Sequence, residues 1–139
     1  MKMWIDTEFN SFKGELISMA IVTQDGREFY ESLGCFDPDP WVAENVIPVI
    51  GKKQIGFIEL QDKLYKFLLP YEHMHLIADW PEDIQHFCET LIIGPGLRIS
   101  TPLLTMEIRR DLDAESEIPH NALSDARAIK AKYMSLVTD

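Results

Sequence analysis

The first 32 residues contain three strand-like segments separated by two turn signals, and this opening limits the fold more than any other feature of the sequence. Residues 3–9 and 15–23 are apolar runs of strand length, with the turn-like residues 10–14 between them. The Gln-Asp-Gly stretch at 24–26 is a hairpin signal, and a third strand is expected over 27–32. Three antiparallel strands at the start of the chain predict a sheet on which the later segments pack.

The remainder of the chain alternates between helical and strand-like segments. Helices are predicted at residues 41–47, at 55–69, from Asp83 onward and after residue 118, and further strands are predicted at 75–78 and 97–100. Apolar residues of the 55–69 segment recur near helical spacing, and its charged residues occupy the opposite side. The segment order predicts an α/β fold, in which helices flank a mixed β-sheet of three antiparallel strands followed by parallel additions.

Length and composition indicate one soluble domain. With 139 residues and 46% apolar content, the chain is long enough for one hydrophobic core, and we expect a single domain over residues 1–139. Cys35 and Cys88 are far apart and form no CxxC motif, which argues against a zinc site or a disulfide framework. No segment reaches the roughly 18 apolar residues of a membrane span, and the first residues lack the apolar run of a signal peptide. A cytoplasmic protein without a membrane partner is therefore expected.

The acidic composition restricts the partners of the chain. Its 23 acidic and 13 basic residues give a formal net charge of −10, which repels phosphate at long range. Carboxylates that bind divalent cations become locally positive only when the metal is present, so net charge alone understates the affinity of such a site for phosphate. The charge therefore argues against long duplex DNA more than against a short single-stranded end.

Two acidic residues alternate in the first predicted strand. Alternate side chains of a strand share a face, so Asp6 and Glu8 point the same way and Thr7 points oppositely. On a buried strand, two neighbouring carboxylates are costly unless a cation neutralises them, whereas on an exposed edge strand they are ordinary. Asp83 stands at the start of a later helix, where it either binds a ligand or simply caps the helix.

A histidine and an aspartate lie five residues apart at the start of the last predicted helix. Asp125 is beside the small residues Ala122 and Ala126, which would let its carboxylate approach a neighbouring element closely. His120 precedes the helix, and it either reaches the same place or acts as a surface or capping residue. In order along the chain, the strand pair, the helix-start aspartate and this His–Asp pair are residues that a sheet would bring together at its strand ends.

Three short stretches that carry these residues resemble the motifs of a known enzyme group. WIDTEF, PEDIQHF and HNALSDA are similar to the first, second and third motifs of the DEDDh 3′-5′ exonucleases, which have an RNase H-like fold. The offset from His120 to Asp125 matches the DEDDh branch rather than the branch with tyrosine. The stretches DTEF…ELISMAIVTQDGREFY and FDPDPWV…VIP resemble the small stand-alone 3′-5′ exoribonucleases, and the resemblance covers about residues 3–133.

The resemblance implies a role for each of the five residues. Asp6, Glu8, Asp83 and Asp125 would bind two Mg²⁺ or Mn²⁺ ions, with Asp6 bridging both, and His120 would act as the general base. Hard oxygen ligands suit these ions, and the absence of a Cys/His cluster in the sequence disfavours Zn²⁺.

The second motif departs from the pattern of the group. An aromatic residue usually precedes its aspartate, whereas Pro81 and Glu82 precede Asp83 in this chain, and another acid, Asp79, lies four residues earlier. Asp83 is the preferred assignment because apolar residues follow it at helical spacing, while Asp79 ends the preceding strand.

The sequence therefore predicts a metal-dependent 3′-5′ exonuclease that releases nucleoside 5′-monophosphates from single-stranded RNA or DNA 3′ ends. Phe9 and Trp80 are candidates to contact unpaired bases, with core packing as the alternative role of each. The resemblance favours RNA as the substrate. DNA-directed activity and a catalytically inactive nucleic-acid-binding or interaction module are the alternatives.

Overall fold

A five-stranded mixed sheet and four α-helices make up most of the computed structural model, which describes residues 1–137. The strands are β1 (Lys2–Phe9), β2 (Leu16–Thr23), β3 (Glu28–Ser32), β4 (His73–Ala78), β5 (Ile92–Gly94), β6 (Leu97–Arg98) and β7 (Leu103–Ile108). The helices are α1 (Pro40–Asn45), α2 (Phe57–Leu68), α3 (Pro81–Leu91) and α4 (Ala122–Val137), and a single 3₁₀ turn spans Ile47–Val49.

The first strand of the chain is the central strand of the sheet. The strand order is β3-β2-β1-β4-β7, in which β1, β2 and β3 are antiparallel neighbours and β4 and β7 are added in parallel. Three antiparallel strands with parallel additions and flanking helices confirm the predicted α/β class, and the arrangement is consistent with an RNase H-like fold.

Helices cover both faces of the sheet. On one face, Met3 and Ile5 of β1 belong to a buried cluster with apolar residues of α2 and α3. On the other face, Trp4 belongs to a second cluster with small and apolar residues of α4. Because neighbouring residues of a strand point to opposite faces, Asp6 and Glu8 continue the face of Trp4, toward α4.

The end of the sheet differs from the prediction. The strand predicted at residues 97–100 is wrong for the main sheet, since Leu97–Arg98 pairs with β5 in a separate two-stranded sheet. The fifth strand of the main sheet is instead β7, which pairs with β4 in a stretch where no strand was predicted. Most side chains of β7 are exposed or only partly buried at the sheet edge, so this stretch lacks the buried apolar pattern that identifies the inner strands.

Smaller differences concern the ends of the helices. The helix predicted over residues 41–47 ends at Asn45, and Pro48 lies inside the 3₁₀ turn that follows. In the last predicted helix, the first helical residue is Ala122. Within residues 1–137, the structure contains no helix whose length and hydropathy would allow it to cross a bilayer.

Candidate active site

Asp6 and Glu8 lie on the most interior strand of the sheet. Strand β1 has β2 on one side and β4 on the other, so the alternative of an exposed edge strand is wrong. Asp6 faces Ala20 in the β1–β2 register, and both acidic side chains are partly buried. Two adjacent carboxylates on an interior strand therefore need compensation by hydrogen-bond donors or by a cation.

The last helix brings a third carboxylate to this face. Ala122 and Ala126 of α4 are fully buried against the sheet, and their small side chains allow the helix backbone to approach it. Asp125 lies between them in sequence, and one carboxylate oxygen each from Asp6, Glu8 and Asp125 lies within 4.8 Å of the others. We call these three residues the α4-side triplet.

Asp83 reaches the same region from the first turn of α3. Strand β4 pairs with β1 only as far as Trp4, so the backbone of Thr7 is left without a neighbouring strand on that side. Asp83 occupies this gap, because its Oδ1 accepts hydrogen bonds from the Thr7 backbone N–H at 3.1 Å and from the Thr7 hydroxyl at 2.6 Å. The side chain therefore fastens α3 to β1 rather than acting as a plain helix cap.

Asp79 and Asp83 both approach Asp6. One carboxylate oxygen each from Asp6, Asp79 and Asp83 lies within 4.8 Å of the others, and we call this set the α3-side triplet. Asp79 directly follows β4, which runs parallel to β1, so both strands end at the same edge of the sheet. The two triplets share Asp6.

The clustering of acids shifts their pKa values upward. Burial, and then the charges of neighbouring carboxylates led by Asp83, raises the pKa of Asp6 well above its ordinary value. Burial and the charge of Asp125 raise the pKa of Glu8 to about 9. Burial raises the pKa of Asp83 to about 7, although the hydrogen bonds from Thr7 act in the opposite direction. A bound cation would reverse these shifts, because it favours the ionised form of each ligand.

Two buried oxygen atoms fit a hard divalent cation. Oδ2 of Asp6 and Oδ2 of Asp83 are buried without a hydrogen-bond partner among the residues that the structure describes. Buried polar atoms are normally satisfied, so an unmatched oxygen in each residue indicates a missing positive partner. Every ligand in both triplets is a carboxylate, a donor set that suits Mg²⁺ or Mn²⁺ better than Zn²⁺.

His120 lies at the same cavity as these acids. The cavity measures about 460 Å³, and Asp6, Asp79, Asp125 and His120 all line it. The backbone of His120 is left-handed, with φ of +70°, and its ring packs edge-on against Trp41 at 4.9 Å between centroids. His120 belongs to neither carboxylate triplet.

The helix cap is a different residue. Asn121 accepts a hydrogen bond from the backbone N–H of Ser124 at 2.9 Å through its Oδ1, and its backbone carbonyl accepts one from Asp125. This is the pattern of an N-cap side chain. Asn121 rather than His120 therefore caps α4, and His120 is one of the residues that line the cavity.

The two aromatic candidates have different environments. Phe9 is partly buried, and its ring packs against His86 of α3 at 5.1 Å between centroids. Trp80 is 46% exposed, donates a hydrogen bond from Nε1 to Glu82 at 3.0 Å and lies under the Arg110 guanidinium at 4.8 Å. Core packing therefore accounts for part of the Phe9 surface, whereas Trp80 keeps a large exposed area beside Asp79.

Sequence reasoning missed two residues that support the site. Thr7 was assigned only a direction, although its amide and hydroxyl bind Asp83. Asn121 was not distinguished from His120 as the helix cap. A signal existed in each case, because Thr7 is a hydroxyl residue in the middle of a buried strand and asparagine is a stronger N-cap former than histidine.

Together, the fold and the carboxylate cluster describe an α/β protein, consistent with an RNase H-like fold, that has a candidate divalent-cation centre. No family model matches the chain. It is 28% identical to the 3′-5′ exoribonuclease Rv2179c of Mycobacterium tuberculosis, over an alignment of 161 positions that covers 91% of this chain and 88% of the relative. The 3′-5′ exoribonuclease MT2234.1 from a second strain of that species has the same identity and coverage. This similarity confirms the resemblance to small 3′-5′ exoribonucleases that the sequence motifs predicted.

Proposed function

We propose that this protein is a DEDDh-type 3′-5′ exoribonuclease that releases nucleoside 5′-monophosphates from single-stranded RNA. One observation carries the proposal: two carboxylate triplets share Asp6, and His120 lines the same cavity as Asp6 and Asp125. The similarity to two proteins named as 3′-5′ exoribonucleases supports the direction of attack and the RNA substrate.

The acidic residues hold the cofactor. Asp6, Glu8, Asp83 and Asp125 would hold two Mg²⁺ or Mn²⁺ ions, and Asp6 would serve both sites because it belongs to both triplets. When bound, such a pair of ions activates a water molecule and neutralises charge on the leaving oxygen. Thr7 keeps the Asp83 carboxylate in place through the two hydrogen bonds to Oδ1.

His120 acts as the general base. Its imidazole takes the proton from the attacking water, and a neutral imidazole can do so near physiological pH. The imidazole packs edge-on against the Trp41 ring at 4.9 Å between centroids, at a position where the backbone is left-handed. His120 is not one of the proposed metal ligands. Substituting it therefore tests proton transfer separately from metal binding.

The acidic surroundings favour a short single-stranded end. Asp113 and Glu115 line the cavity with the proposed ligands, so a long phosphate backbone would meet repulsion beyond the metal centre. Phe9, directly after the Asp6–Glu8 pair, and Trp80, directly after Asp79, are the aromatic residues proposed to contact unpaired bases.

Incubation with matched oligonucleotides tests the proposal. RNA and DNA of the same sequence, labelled at the 5′ end, are incubated with purified protein and Mg²⁺, and the same RNA with a blocked 3′ end serves as the polarity control. We expect stepwise shortening of the free RNA, protection of the blocked RNA and loss of activity in excess chelator. Undiminished hydrolysis in chelator would refute the metal-dependent mechanism. Faster cleavage of DNA would support the DNA-directed alternative, and RNA binding without cleavage would indicate an inactive binding module.

A further inference from the structure

Asp79 stands at the metal centre without an assigned role. It directly follows β4, lines the cavity that contains His120, and offers a carboxylate oxygen within 4.8 Å of oxygens from Asp6 and Asp83. The α4-side triplet already uses Glu8 and Asp125. On the α3 side, Asp79 is therefore the third carboxylate beside Asp6 and Asp83.

A separate observation indicates that a ligand belongs on this side. Asp83 is only 2% exposed, and its Oδ2 has no hydrogen-bond partner among residues 1–137, although its Oδ1 accepts two hydrogen bonds from Thr7. A carboxylate so deeply buried is costly when one oxygen is unmatched. A cation between Asp6, Asp79 and Asp83 would satisfy that oxygen.

The surroundings of Asp79 hold its backbone in place. Arg110 donates a hydrogen bond from Nη1 to the backbone carbonyl of Asp79 at 2.8 Å, and its guanidinium lies over the Trp80 ring. Arg110 thus binds the carbonyl and the neighbouring aromatic ring. The turn after β4 is fastened while the Asp79 carboxylate is presented to the cavity.

We infer that Asp79 is a fifth metal-binding carboxylate, which forms the second ion site together with Asp6 and Asp83. Asp6, Glu8 and Asp125 form the first site. The inference rests on the proposed metal-dependent function and extends it, because it assigns Asp79 to metal binding in addition to Asp83 of the second motif. Occupancy of the second site then depends on Asp79 specifically, and not on the general negative charge of the cavity.

Titration with Mn²⁺ tests this assignment. Binding is measured by isothermal titration calorimetry and by the electron paramagnetic resonance signal of free Mn²⁺, on the parent protein, Asp79→Asn and Asp113→Asn. Asp113 is the matched control, because it is an exposed aspartate that lines the same cavity but belongs to neither triplet. We expect two Mn²⁺ per parent chain, a loss of at least about tenfold in affinity for one of the two in Asp79→Asn, and a change of less than about twofold in Asp113→Asn.

The outcomes separate the inference from the proposed function. Two Mn²⁺ bound by Asp79→Asn with parental affinity would overturn the inference alone, provided that the parent hydrolyses RNA. A parent that binds no Mn²⁺, or that hydrolyses RNA in chelator, would overturn the proposed function and the inference together. Asp79→Ser is the second variant, with the same expected loss, and circular dichroism verifies that each protein is folded before titration.

Discussion

Asp6→Asn removes one negative charge from the point where the two carboxylate triplets meet. We expect this substitution to stabilise the metal-free protein and to abolish RNA hydrolysis, because Asp6 is the ligand shared by both ion sites. In the structure, an Asp6 oxygen lies within 4.8 Å of a carboxylate oxygen from each other member of both triplets. Two full charges at that distance repel by about 3.5 kcal/mol at an effective dielectric constant of ~20.

The measurable gain is smaller, because the folded protein relieves the repulsion by retaining protons. With its pKa raised to about 9 by burial and by Asp125, Glu8 is largely protonated at neutral pH. We expect a net gain of about 1–3 kcal/mol at pH 8. For a chain of this size, that gain raises the Tm by roughly 4–12 °C. Thermal unfolding in chelator measures it, and the gain should shrink toward pH 5, where the folded protein keeps its carboxyl groups neutral.

The control is Asp113→Asn, which removes the same charge from an exposed position at the same cavity. Its stability should change by less than about 0.5 kcal/mol. If Asp6→Asn instead destabilises the metal-free protein by about 1–3 kcal/mol, the loss typical of a broken buried hydrogen bond, then Asp6 is a structural residue and the electrostatic reasoning is refuted.

Three further predictions concern the base, the support of Asp83 and the pH dependence of stability. His120→Ala should lower the single-turnover rate by roughly 10²–10⁴-fold and flatten the acidic limb of the pH–rate profile, with Mn²⁺ affinity and Tm unchanged; a normal rate with a lowered Tm would exclude the base role. Thr7→Val should lower the free energy of unfolding in urea by about 1–3 kcal/mol, because the buried Asp83 carboxylate loses a donor; equal stability would show that this hydrogen bond has no net effect. In chelator, the free energy of unfolding should fall as pH rises from about 5 to 9, because the pKa values of Asp83 and Glu8 are raised to about 7 and about 9 and the folded state binds more protons in this window. Saturating Mg²⁺ should flatten that dependence, and a rise in metal-free stability across the window would contradict it.

The inner part of the fold was predictable because its patterns are dictated by burial. The three opening strands lie close to their predicted positions, since β2 is buried along its whole length and half of the residues of β1 are buried. Strand β7 was missed because most of its side chains are exposed or partly buried, and the residues of 97–100 offered a more strand-like pattern nearby. The sequence of an edge strand is less constrained than the sequence of a central strand.

The candidate site was also predictable only in part from the sequence. The alternation of Asp6 and Glu8 follows from strand geometry, and the small residues around Asp125 indicated the close approach of α4. Helical spacing favoured Asp83 over Asp79, but it could not show that the turn joining β4 to α3 brings both side chains to Asp6. That turn depends on the early separation of β4 from β1, which is a property of the assembled sheet rather than of either segment.

The packing of α4 on the sheet also determines when the proposed activity can arise during synthesis. Asp6 and Glu8 of β1 are made before His120 and Asp125, which belong to the segment that carries α4. Until α4 docks, Trp4 and the apolar residues around it have no cover on that face of the sheet. A chain whose α4 has not docked therefore carries only part of the proposed metal centre and lacks the proposed base. Under the proposed function, completion of the hydrophobic core and the onset of activity are one event.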